Sequence, residues 1–189
     1  MFAEPIGSQQ RFSKLFLQGS AARPLPGDLV GASAVKIGLA SRLGTPNPLP
    51  LQERYFAGGG STFRGFRQDG VGYVDLEQAT DSSGNPVQVD AGTLEHGTLR
   101  PLGGESVFIL SNELRRRVAG SISAVLFWDS GSVFPTPADI RLDRFRNTLG
   151  TGIRFDTPIG PVRIEFGWKL DPRAGESAGE YVFTIGQSF

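Results

Sequence analysis

Apolar and polar residues alternate along seven stretches of this chain, with turn-forming residues between them. In the stretch at about 11–22, Leu15, Leu17, Gly19 and Ala21 share one face, and Lys14, Phe16 and Gln18 the other. From 29 to 43, Leu29, Val35, Ile37, Leu39 and Leu43 oppose Lys36, Gly38 and Arg42. From 106 to 118, Phe108, Leu110, Leu114 and Val118 oppose Glu113 and Arg115. Residues 122–134 set Ile122, Ala124, Leu126 and Trp128 against Ser123, Val125, Phe127 and Asp129. Residues 148–156 set Leu149, Ile153 and Phe155 against Gly150, Gly152, Arg154 and Asp156. The cleanest alternation is 162–170, with Val162, Ile164, Phe166, Trp168 and Leu170 against Arg163, Glu165, Gly167 and Lys169. The last, 181–189, sets Tyr181, Phe183, Ile185 and Phe189 against Val182, Thr184, Gly186 and Ser188. Side chains of a strand point alternately to opposite faces, so a period of two over these lengths predicts about seven β-strands and an all-β fold.

The connections between these stretches alternate short and long. The longest, about 45–104, separates the second strand from the third. Two architectures share this pattern. A soluble β-sandwich buries the apolar face and exposes the charged one. A transmembrane barrel turns the apolar face to lipid and lines its lumen with the charged face. The regular short–long rhythm matches the short turns and longer outer loops of membrane barrels. Aromatics near strand ends (Phe134, Trp168, Tyr181, Phe189) suit the girdle such barrels carry at the membrane interface. Each strand approaches the ~9–11 residues that cross a bilayer obliquely. Single-chain bacterial barrels use even strand numbers from 8 upward, so about seven strands read as part of a barrel rather than a whole one.

Composition narrows the chemistry. Among 189 residues there are 26 Gly, 13 Pro and 14 Phe, which suits strands and turns. The net charge is +0, which gives no electrostatic case for nucleic acid. No cysteine is present, which removes disulfides, thiol catalysis and cysteine metal sites. The start, Met1-Phe2-Ala3-Glu4-Pro5, does not read as a signal peptide. His96 is the single histidine and reads as a solvated loop residue without metal-binding neighbours. Gly58-Gly59-Gly60-Ser61 lacks the spacing of a phosphate-binding loop. No Ser/His/Asp triad or glycosidase carboxylate pair is supported by spacing. The expectation is a protein that is not an enzyme and needs no cofactor or metal.

The long connection has a dense centre, Phe56-Ala57-Gly58-Gly59-Gly60-Ser61-Thr62-Phe63-Arg64-Gly65-Phe66. Glycines there permit positive φ and close backbone approach, and the aromatics supply packing. The later segment from Asp81 to Pro86 has polar turn chemistry. Glu113 and Asp129 lie on successive strands around the Ala119-Gly120-Ser121 turn, with the same parity. They are therefore expected as cross-strand neighbours or one register step apart. Two such carboxylates call for a cation, and an arginine fork binds carboxylates with paired charge-assisted hydrogen bonds. Arg64, on a loop that can fold back, is one candidate. The alternative pairs Glu113 with Arg115 or Arg116 and leaves Asp129 as a strand-end turn residue. Arg115-Arg116-Arg117 reads as a cluster flanking the membrane interface on the turn side.

At these residues the chain resembles the outer-membrane protein assembly factor superfamily. That group includes BamA-like, TamA-like and two-partner-secretion transporters and is often labelled the bacterial surface antigen family. Arg64-Gly65-Phe66 resembles its loop motif, Phe127-Trp128-Asp129-Ser130-Gly131 its strand motif, and Glu113 its strand glutamate. Thr157-Pro158-Ile159-Gly160-Pro161 resembles its penultimate hairpin turn. Tyr181, Phe183, Ile185 and Phe189 resemble its terminal barrel signal. The resemblance implies the C-terminal part of a sixteen-stranded antiparallel barrel in the bacterial outer membrane. It also implies a lumen-inserted loop in which Arg64 meets Glu113 and Asp129, and a role in inserting, assembling or translocating other proteins. Partners implied are the lipid bilayer and unfolded outer-membrane or secreted proteins. POTRA repeats and the first half of the barrel are expected to lie outside this chain. A two-partner-secretion pore is the nearest alternative, and a soluble β-sandwich binding module the more distant one.

Overall fold

The computed structural model describes residues 11–43, 49–72, 74–76, 79–80, 86–87, 99–158, 160–173 and 176–186. Seven strands form one antiparallel sheet: β1 (Arg11–Leu25), β2 (Leu29–Leu43), β3 (Ser106–Ala119), β4 (Ile122–Phe134), β5 (Arg146–Phe155), β6 (Val162–Lys169) and β7 (Gly179–Ile185). Each pairs with its neighbour in chain order. Among the described residues, β1 pairs with β2 alone and β7 with β6 alone. Expected Phe189, His96 and the polar segment 81–85 lie outside the described residues.

The short turns gather at one end of the sheet. Pro26-Gly27-Asp28 joins β1 to β2, with φ of 78° at Gly27 and 58° at Asp28. Gly120-Ser121 joins β3 to β4, next to a register shift between Arg117 and Ala119. The long connections leave from the opposite end. The one between β4 and β5 folds back over the sheet, where the Phe145 ring packs against Phe134 and Phe108 with centroids 5.9 and 5.4 Å away. This corrects one expectation. Phe134 is only 2% exposed, so it serves as a cap under that connection and not as part of an aromatic girdle. Trp168 and Tyr181 are exposed and flank the Phe166 ring at 4.7 and 4.5 Å.

Burial separates the two architectures left open by alternation. The apolar face is the exposed one: Leu126, Leu149, Ile153 and Ile164 are about half exposed or more. The polar face is the buried one: Glu113, Asp129, Arg146, Arg154, Arg163 and Glu165 are each 5% exposed or less. A sandwich would show the reverse. The inner face is covered by the long connection itself. Residues 49–72 lie across it, and Leu49, Ala57, Phe63, Phe66 and Val71 form a buried cluster with Ala40, Val107, Ile109 and Val133 of the sheet.

This inversion makes a simple prediction. Leu126 sits in the middle third of β4 and points outward. Leu126→Arg is expected to destabilise the lipid-embedded protein by about 2–4 kcal/mol, as a cation does near the bilayer midplane of a membrane barrel. Denaturant unfolding from lipid vesicles measures it; an unchanged midpoint would argue that this face meets water.

Candidate functional site

The buried loop forms a knot of local hydrogen bonds before it meets the sheet. Gly58 donates its amide to Thr62 Oγ1 at 2.9 Å, and that hydroxyl donates back to the Gly58 carbonyl at 2.6 Å. Gly59 donates to the Phe66 carbonyl at 3.0 Å and accepts from the Phe63 amide at 3.1 Å. Phe63 and Phe66 pack edge to face at 5.3 Å. The short ring closed between Gly59 and Phe66 leaves Arg64 projecting from its middle.

The loop reaches every strand. Tyr55 donates its hydroxyl to the Leu15 carbonyl of β1 at 2.8 Å, and its ring fills the space over Gly38 of β2. Lys36 of β2 donates to the Ser61 carbonyl at 2.7 Å. Arg64 reaches β3, β4 and β6 through carboxylates, as described below. Phe66 lies under two cations, Arg146 of β5 and Lys169 of β6, each 4.8 Å from its ring centroid. Gly60 lies so close to Val182 and Thr184 of β7 that a Cβ there would come within 2.2 Å of Val182 Cγ1.

Two glycines permit the closest approach. Gly65 has φ of 84°, in the left-handed region that side chains disfavour. Gly167 of β6 faces it, and a Cβ on Gly167 would stand 2.7 Å from both the Cα and the amide nitrogen of Gly65. Backbone therefore meets backbone at this point, with no flexible side chain to give way.

Arg64 is 2% exposed. Its amide donates to Asp129 Oδ2 at 3.0 Å, its Nε to the same oxygen at 2.9 Å, and its Nη2 to Oδ1 at 2.7 Å. The fork is thus bidentate on Asp129, reinforced by the main chain. Nη1 donates to Glu113 Oε2 at 2.7 Å and to Glu165 Oε1 at 3.4 Å. Beneath the guanidinium lies the Phe127 ring, its centroid 3.7 Å away. Phe127 is the cross-strand partner of Gly150, and its ring occupies the space that a side chain there would fill. Burial opposes the charge on Arg64, but the Asp129 hydrogen bonds and the charges of Asp129, Glu165 and Glu113 outweigh it and hold its pKa above the ordinary arginine value.

Glu113 stands opposite Phe127, and Asp129 stands opposite Ser111, so the two carboxylates are diagonal neighbours on one face. The two sequence readings of Glu113 coexist, because its carboxylate has two oxygens. Oε2 takes Arg64, while Oε1 takes Arg154 at 2.9 Å and also Arg115. Arg115 therefore turns inward to an ion pair instead of sitting with Arg116 and Arg117 in an interfacial cluster; Arg116 and Arg117 are exposed. Asp129 lies well inside its strand and is 1% exposed, so it is not a strand-end turn residue. Tyr181, Phe183 and Ile185 share the exposed outer face of β7, away from this cluster.

Glu165 was not foreseen as a member of the cluster. The signal was its parity with Arg163 on β6, which put it on the polar face; its nearness to Arg64 depends on the loop's path and is not written in the strand. A second clasp was also missed. Arg146 at the start of β5 donates Nε to Asp171 at 2.8 Å, and Nη1 and Nη2 to Glu176 at 2.9 and 2.6 Å. It ties the β6–β7 connection to the loop through Phe66. Burial pushes the Glu176 carboxyl up, but the Arg146 hydrogen bonds prevail and its pKa lies below the usual carboxylate value. Among the described residues, no cluster of three or more His, Cys, Asp or Glu side chains is arranged to hold a metal.

The family model described as the Omp85 superfamily domain matches residues 1–189. Outer membrane protein assembly factor BamA of Nitratidesulfovibrio vulgaris is 23% identical over 188 residues, which is 98% of this chain and 21% of that protein. Outer envelope protein 80, chloroplastic, of Arabidopsis thaliana is 34% identical over 91 residues, 44% of this chain and 12% of that protein. Among solved structures, the crystal structure of BamA from Haemophilus ducreyi lacking POTRA domains 1-3 aligns with a TM-score of 0.72 at 20% identity. That alignment covers 95% of this chain and 36% of the other, and shows the fold. The chain spans 21% or less of the length of these two curated relatives. It belongs to the Omp85 superfamily, and it is an outer-membrane β-barrel chain.

Proposed function

We propose that this chain is the C-terminal part of the barrel of an outer-membrane factor that inserts or assembles other proteins, and that its loop 49–72 locks the barrel from inside. The reading assigns it no chemical step. Its work is mechanical: a rigid loop holds the strands in register while the edge of β7 opens to pair with an incoming strand. The observation that carries the lock is the burial of Arg64 against Asp129, Glu113 and Glu165 on three different strands. The relative named as an outer membrane protein assembly factor supports the wider role. The shape of β7 supports the strand-pairing step. It is the shortest of the seven strands at 7 residues, so it gives up few ladder hydrogen bonds when a new strand takes its edge. An edge strand offers unpaired N–H and C=O groups, and strand addition to such an edge is a recurrent way to recruit an extended segment.

The test uses the complete protein reconstituted in lipid vesicles with a urea-unfolded small barrel as client. Client folding, read by heat-modifiable gel migration, is expected to speed up several-fold over empty vesicles, and Asp129→Ala is expected to remove most of that gain. Passage of an unfolded secreted protein into the vesicles, without any effect on client folding, would instead assign the barrel to secretion.

A further inference from the structure

Cations crowd the carboxylates of the lock: Arg64, Arg115, Arg154 and Arg163 each pair with Glu113 or Glu165. Two of the cations face each other. Arg154 of β5 and Arg163 of β6 are direct cross-strand partners, both on the inner face, and they are 4% and 0% exposed. Opposed positions hold their Cβ atoms about 4.5–5.5 Å apart, and like charges placed so destabilise a sheet. The pair is also short of acceptors. Arg154 gives Nη2 to Glu113, but its buried Nε has no hydrogen-bond partner among the described residues. Arg163 reaches Glu165 through Nη1 at a long 3.5 Å, and its buried Nε and Nη2 have none. A buried donor left unpaired costs more than an ordinary lost hydrogen bond, and more again on a charged group. Arg154 also lines a cavity of about 740 Å³ at the turn end of the inner face, bounded by the β1–β2 turn, Arg115, Arg117 and Ser123.

We propose that Arg154 and Arg163 form an oxyanion site that takes one carboxylate or phosphate between their guanidinium groups. Guanidinium forks match the planar oxygens of a carboxylate and the tetrahedral oxygens of a phosphate with paired hydrogen bonds. One such oxyanion supplies acceptors for the three unused nitrogens and removes the like-charge opposition. Asp28 and Asp156 also line the cavity and disfavour a polyanion there, so the ligand is small and carries little charge beyond the bound group. It comes either from free inorganic anion or from an acidic side chain of a polypeptide within the lumen. The site adjoins the lock, since Arg154 pairs with Glu113 and Arg163 with Glu165, but the anion takes the nitrogens that those carboxylates leave unused, and its binding is read apart from the Arg64–Asp129 coupling.

The experiment follows the urea-unfolding midpoint of the complete, folded protein in detergent at constant ionic strength. Inorganic phosphate replaces chloride in one series; a short Glu-containing peptide is compared with its Gln counterpart in another. Wild type is expected to show a saturable rise in midpoint with phosphate or with the Glu peptide. Arg163→Lys, which keeps the charge and loses the fork, is expected to weaken the apparent affinity about tenfold or more, and Arg154→Gln to abolish the response. A rise with phosphate assigns the site to free anion; a rise with the Glu peptide alone assigns it to a side-chain carboxylate. No rise with either, or an equal rise in wild type and both variants, overturns the proposal. The wild-type series decides even if a variant fails to fold.

Discussion

Arg64→Ala is expected to destabilise the folded protein by about 3–5 kcal/mol, the cost of breaking a buried ion pair by removing one partner. The reason lies in what is left behind. Asp129 is 1% exposed and takes three hydrogen bonds from Arg64, from the main chain and both arms of the fork. Two of those bonds vanish with the side chain, and the third depends on the loop staying in place. Glu113 fares better, because Arg154 and Arg115 still reach its other oxygen. Arg64→Lys is expected to recover only part of the loss, since a point charge cannot span Asp129 and Glu113 as the fork does. The measurement is urea unfolding in detergent, with trypsin as a local probe. In wild type the buried Arg64 resists cleavage, and in the alanine variant the neighbouring exposed Arg67 becomes far more susceptible as the loop leaves the sheet.

A substitution that touches no charge is expected to dislodge the loop nearly as well. Gly167→Val places a branched side chain where Gly65 backbone atoms already lie 2.7 Å from the Cβ position. Overpacking a filled core costs about 1–3 kcal/mol and occasionally more, and here both sides of the contact are main chain, which puts the effect at the upper end. Gly65 cannot retreat without pulling Arg64 off Asp129, so the trypsin pattern is expected to match that of Arg64→Ala. Gly19→Val is the control, because nothing lies within 4 Å of a Cβ there. Wild-type protease resistance in Gly167→Val would show that the loop does not need this contact.

The strands were legible because a period of two survives over seven to fifteen residues and turn residues mark its breaks. The misjudged ends have physical reasons. Pro24 reads as part of a turn, yet β1 continues to Leu25, because Gly27 and Asp28 make the reversal by themselves in the left-handed region and leave Pro24 opposite Val30 in the ladder. Arg146 and Asn147 read as loop, yet they extend β5, held by Asp171 and Glu176 from a distant connection. Alternation alone did not reveal which face is inside, since the same pattern serves a sandwich and a barrel. The loop settles that point by bringing Phe63, Arg64 and Phe66 onto the charged face. Arg64, Glu113 and Asp129 were visible as a set through parity, turn symmetry and a motif resemblance. Glu165, Arg154 and Arg163 had parity alone, and their proximity to the lock arises from the sheet's register, which no single strand records. Phe134 was misjudged because its outward parity says nothing about Phe145, which folds over it from eleven residues away in the chain.

The central claim is that Arg64 and Asp129 act as one unit holding the loop against the sheet. A double-mutant cycle on the complete protein in detergent, with Arg64→Ala, Asp129→Ala and the pair together, tests it most directly. The account predicts strong coupling, so that the double variant loses about 2–3 kcal/mol less stability than the sum of the two single losses. Additive losses would contradict it and would mean that the two residues stabilise the barrel separately.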